Sequence, residues 1–73
     1  MRMKEIVANL RRIYTKGTRV KLVKMDNAQA PPIGTLGTVK GVDDIGSIMV
    51  AWDNGSSLSV TYGEDECSIV TEG

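Results

Sequence analysis

Residues 3–14 place apolar side chains at helical spacing. At about 3.6 residues per turn, Ile6, Val7, Leu10, Ile13 and Tyr14 fall within an arc of about 120°. Lys4, Glu5, Ala8, Asn9, Arg11 and Arg12 fill the other side. Lys16-Gly17 adds a basic last turn and a glycine stop. The pattern predicts an amphipathic α-helix within residues 1–16. A helix this short is marginal alone, so its stripe must pack on something, either the rest of the chain or a partner.

From Gly17 the period changes to two. Val20 and Leu22 alternate with Arg19 and Lys21; Ile48, Val50 and Trp52 alternate with Ser47, Met49 and Ala51; Leu58, Val60 and Tyr62 alternate with Ser57, Ser59 and Thr61. Thr35–Val42 reads as a strand bent by glycines, and Cys67–Val70 as a last short one. Asp26–Gly34 holds Pro31 and Pro32, which rule out a central strand there and predict a long loop of functional type. Asp43–Gly46 and Gly63–Glu66 are turns by composition. Asp53-Asn54-Gly55 predicts a hairpin with a primed turn.

One helix followed by five closely spaced short strands predicts a mainly β fold, a five-stranded small barrel over residues 17–73. Five short strands bury one face only if the sheet closes or folds over. The predicted core is Val20, Leu22, Val39, Ile48, Val50, Trp52, Leu58, Val60, Cys67 and Ile69.

Seventy-three residues make one domain with a thin core. An apolar fraction of 41% with 25% charged residues argues for a folded chain rather than a disordered one. The single cysteine, Cys67, cannot form an intramolecular disulfide, which favours a reducing cytoplasm. Glu5, Asn9, Arg11 and Arg12 interrupt what a signal peptide would keep apolar, and the run Ile48–Trp52 is far too short to span a bilayer. No membrane association is expected.

Chemistry is sparse. The chain has no histidine, which removes the usual general base and metal ligand and with them Ser-His or Cys-His catalysis. Cys67, on the parity of Ile69, reads as a buried, inert thiol. Asp43-Asp44 and Glu64-Asp65-Glu66 offer oxygen ligands, but their spacing matches no known cation loop and reads as solvated turns. Gly34, Gly37 and Gly41 form no phosphate-binding fingerprint. The expectation is no enzyme, no metal and no cofactor.

The segments Gly17–Val20, Gly34–Val39, Val50–Gly55 and Tyr62-Gly63 follow a rhythm that resembles SH3-like barrels. Arg19–Met25, Pro31–Gly34, Val42–Gly46 and Trp52–Gly55 are similar to motifs of a small uncharacterised SH3-like family, a domain of unknown function of bacterial prophages and mobile elements. The resemblance covers residues 17–70 and implies an SH3-like fold in a mobile-element setting, with no activity attached. A remoter likeness to Mind bomb and HERC2 repeats and to KOW-type modules rests on turn chemistry and carries over no binding residues.

Charge supplies the functional lead. Residues 1–40 hold all nine basic and two of the nine acidic residues, a net +7, and residues 41–73 carry −7. Either the halves form separate faces, or interleaved strands cancel them locally. Lys4, Arg11, Arg12, Lys16, Arg19 and Lys21 are the candidate contacts for nucleic acid or a partner, provided the helix and first strand make one face. Trp52 and Tyr62 share the inward parity, which leaves little aromatic surface for stacking on bases. Two readings follow: a non-enzymatic protein-interaction or accessory module with an unidentified protein partner, and backbone-directed binding of nucleic acid. The sequence does not fix the oligomeric state.

Overall fold

The computed structural model describes residues 2–71 and contains α1 (Met3–Ile13), β1 (Arg19–Lys24), β2 (Leu36–Val42), β3 (Ser47–Trp52), β4 (Val60–Thr61) and β5 (Glu66–Ile69). The strands form one antiparallel sheet in the order β4-β3-β2-β1-β5. The ends of β4 and β5 approach one another without pairing, so the hydrogen-bonded sheet is not closed. No helix among the described residues is long and apolar enough to cross a membrane.

The inward faces of β1 to β4 supply the core: Val20, Leu22, Val39, Val42, Ile48, Val50, Trp52 and Val60. Val7 of α1 is buried in the same cluster, with Leu10 and Tyr14 packed against it. The sheet therefore covers the stripe at Val7 and partly at Leu10 and Tyr14, while Ile13 stays exposed. Arg2 precedes α1 and makes no side-chain capping bond, so packing rather than capping holds the first turn. Past the helix, Gly17 N donates to Val39 O at 2.8 Å and Val39 N to Thr18 O at 2.8 Å, which ties the α1–β1 connection to β2.

Two bulges bend the sheet, between Val39 and Gly41 and between Leu22 and Lys24. The first resets the alternation of β2, which buries Val42, a residue that strict period two would turn outward. The expected core is otherwise corrected at its C-terminal end. Leu58 and Cys67 are half-buried, and Ile69 is exposed because β5 is an edge strand with only β1 beside it. Tyr62 is exposed rather than inward, since β4 ends at Thr61 and the chain turns there. Ser47 is buried rather than outward, paired with Thr61 and held by Asp43, whose Oδ1 accepts from Ser47 N at 2.8 Å.

The expected primed turn after Trp52 is also corrected. Gly55 has φ +93°, but no described non-glycine residue has positive φ, so Asn54 does not take the left-handed conformation that turn needs. Gly55 N donates to Trp52 O at 3.0 Å and Trp52 N to Ser56 O at 3.0 Å, a wider loop with glycine in the left-handed position.

Candidate partner-binding groove

Where the sheet stays open between β4 and β5, a groove of about 430 Å³ runs beneath α1. Ile48 and Val60 lie at its base, Leu10 of α1 and Tyr14 just past its end form one wall, and Cys67 and Lys24 lie on the other. The turn Tyr62–Glu66 makes the lip. Tyr62 is about half exposed there.

The lip is held by its own backbone and one carboxylate. Glu64 N and Asp65 N both donate to Thr61 O, at 3.1 and 2.9 Å, and Asp65 Oδ2 accepts from Thr61 N at 2.9 Å. Tyr62 N donates to Gly46 O at 3.2 Å, so the β2–β3 turn supports the lip from below. Gly46 is also where the lip meets the helix: a Cβ there would lie 3.3 Å from Met3 Sδ, 3.5 Å from Tyr62 Cβ and 3.9 Å from Leu10 Cδ1. Ile45, beside it, is the most exposed large apolar residue among those described.

Inside the groove Tyr14 and Cys67 touch. Burial raises the Tyr14 hydroxyl above its usual range, and the neighbouring Cys67 sulfur adds to this. Burial raises the Cys67 thiol as well, partly offset by the hydrogen bond from Tyr14. The thiol is half-buried rather than fully buried, and burial favours its protonated form near neutrality.

The six basic candidates do not come together. Lys4, Arg11 and Arg12 lie on α1 and Lys16 just after it, on the side of the sheet that the helix covers. Arg19 and Lys21 project from the opposite face of β1, whose Val20 and Leu22 point into the core. Arg11 donates through Nε to Val42 O at 3.1 Å and through Nη2 to Asp44 Oδ1 at 2.8 Å, fastening the helix to the β2–β3 hairpin. Arg19 forks onto Asp53, at 2.9 Å to Oδ1 and 2.6 Å to Oδ2, and also donates to Thr38 Oγ1 at 2.9 Å. Hydrogen bonding from Arg19 holds the Asp53 carboxyl below its usual range. Lys4 and Arg11 do share a shallow hollow of about 460 Å³ with Met3, Val7, Ala8 and Asp44.

Both ion pairs seen among the described residues join a cation of the basic half to an acid of the acidic half, and Lys24 lies opposite Glu66 in the β1–β5 ladder. At these positions the charges of the two halves meet, whereas Lys4, Arg12 and Lys16 stay exposed along the helix side. The Asp26–Gly34 loop is likewise fastened: Gly34 N donates to Leu22 O, Ala30 N to Asn27 O, and Pro31 is buried, while Ile33 stands exposed.

A family model described as Domain of unknown function (DUF4314) matches residues 3–70. The chain belongs to this family. The matched span takes in α1 as well as all five strands, so the helix beside the groove is part of the DUF4314 domain. No curated protein and no solved structure matches the chain.

The groove itself was not legible in the sequence. Its lining comes from α1, β1, β3, β4 and β5, and the inward reading of Tyr62 hid the residue that marks its mouth. The one signal available was the acidic turn Glu64-Asp65-Glu66 directly after Tyr62-Gly63.

Proposed function

We propose that this DUF4314 chain is a non-enzymatic protein-interaction module of SH3-like architecture, and that its working surface is the groove between α1 and the β4–β5 lip. The observation that carries this reading is an open hollow with an apolar base and a half-exposed tyrosine at the mouth of a fastened turn. The SH3-like assignment is supported by the order of the strands: β1 to β4 form a bent meander, and β5 returns to pair with β1. The non-enzymatic part is supported by the lack of histidine in the sequence and by the structural work given to Asp43, Asp53 and Asp65. An accessory role in a phage or mobile element is the setting implied by the sequence resemblance, in the cytoplasm.

The test is photocrosslinking from position 62 in cells that carry the protein natively, with position 40 on the outward part of β2 as control. Protein adducts formed from position 62 and not from position 40 are expected. Adducts from neither position, or equally from both, would count against the groove as the working surface.

Backbone-directed nucleic-acid binding ranks second. It is favoured by the exposure of Lys4, Arg12 and Lys16 along the helix side, and weakened by the ion pairs that engage Arg11 and Arg19. It requires a mobility shift that falls steeply with salt and drops in the Arg12→Ala/Lys16→Ala variant.

A further inference from the structure

We infer, building on the interaction-module reading, that the groove takes a segment of a partner protein in which a lysine or arginine flanks an aliphatic or aromatic side chain. Two properties of the lining carry this. The base and helix wall are apolar, from Ile48, Val60, Leu10 and the ring of Tyr14. The lip is acidic, with Glu64, Asp65 and Glu66 in succession, and Lys24 is the only basic residue on the lining.

The acidic residues are not equivalent. Asp65 spends its carboxylate on the Thr61 amide, and Glu66 lies across the ladder from Lys24. Glu64 and Glu66 are exposed and have no ion-pair partner among the described residues. An incoming cation thus meets carboxylates beside an apolar pit, so a partner can insert its apolar side chain while its charge rests on the lip. A phosphate backbone would meet the same carboxylates and be repelled. Because the lip is fastened by four backbone-anchored hydrogen bonds, little ordering of the protein opposes binding.

The inference is tested by panning a random-peptide display library on the full chain and measuring enriched synthetic peptides by fluorescence anisotropy. Enriched sequences are expected to place Lys or Arg within a residue or two of an aromatic or aliphatic one. Their affinity should fall roughly tenfold or more in the Glu64→Lys/Glu66→Lys variant, fall in Tyr62→Ala, and weaken as salt rises. Both glutamates are exposed, and thermal melts of the variants confirm that the fold is kept. Peptides lacking basic residues, binding indifferent to the double charge reversal, or no enrichment at all would overturn the assigned chemistry. Neutral peptides that still require Tyr62 would do so while leaving the interaction module standing, whereas absence of crosslinks from position 62 removes the module reading itself. Self-association abolished by Tyr62→Ala would assign the groove to a second copy and overturn the inference as well.

Discussion

Trp52 lies directly across the β2–β3 ladder from Gly37, and a Cβ at position 37 would stand 2.7 Å from its Cε3 and 2.6 Å from Val50 Cγ1. The indole fills the slot that the missing side chain leaves, and its Nε1 donates to Leu58 O at 2.8 Å. One residue thereby joins β2, β3 and the segment leading to β4. Gly37→Ala forces the indole or the strand to move and should cost about 1–3 kcal/mol. Gly55→Ala, at φ +93° with nothing near its Cβ, should cost about 1–2 kcal/mol from backbone strain alone. Denaturant unfolding of both variants, with the indole fluorescence followed in each, checks this. A Gly37→Ala protein with unchanged stability and unchanged Trp52 emission would refute the slot.

Arg11 fastens α1 through two bonds of unequal worth. Asp44 is almost fully exposed, so the ion pair is screened, and Asp44→Asn should change stability by no more than about 0.5 kcal/mol. The bond to the Val42 carbonyl, partly shielded from water, matters more, and Arg11→Ala should cost about 1 kcal/mol. Equal losses in the two variants would show that the Asp44 pair, not the carbonyl bond, holds the helix.

Asp53 should titrate below the usual aspartate value of about 3.9, because Arg19 stabilises its carboxylate. Lowering a carboxyl in the folded state adds stability that is present above the unfolded value and lost as pH falls through the folded one. The loss therefore falls in the acid range, beginning near about pH 5 and growing as pH falls. Carboxyl NMR titration should show the low midpoint in the parent chain and its return upward in Arg19→Ala. A parent midpoint at the ordinary value would sever the link between the fork and the ionisation.

Cys67 should alkylate more slowly than a cysteine in an unstructured peptide at the same pH, since its thiol is raised by burial. Tyr14→Phe removes a hydrogen bond that favours the thiolate, and should raise the thiol further. Denaturant should restore the peptide rate. A folded protein that reacts at the peptide rate would show that the groove does not shelter this sulfur.

Period and punctuation carried most of the architecture. The helix stripe predicted Met3–Ile13 within one residue, and the alternation from Ser47 to Trp52 has the bounds of β3, with Ser47 alone turned inward against expectation. Where alternation failed, a physical cause is present. The bulge after Val39 moved Val42 inward, the early end of β4 released Tyr62, and the edge position of β5 left Ile69 exposed. None of these is a property of neighbouring residues alone, since each depends on which strand lies alongside. The basic candidates failed to cluster for the same reason. Helix and strand one are adjacent in sequence, yet α1 covers the inner face of the sheet while Arg19 and Lys21 face outward.

The pairing of β5 with β1 has a kinetic consequence. Val20 pairs with Ile69, so β1 acquires its second neighbour only from the far end of the chain. During synthesis the meander of β1 to β4 can assemble as it emerges, but one edge of β1 must wait for Glu66–Ile69. Closure over such a separation is slow compared with forming local hairpins. The last step of folding should therefore be the docking of β5, the same step that builds the Cys67 wall of the groove.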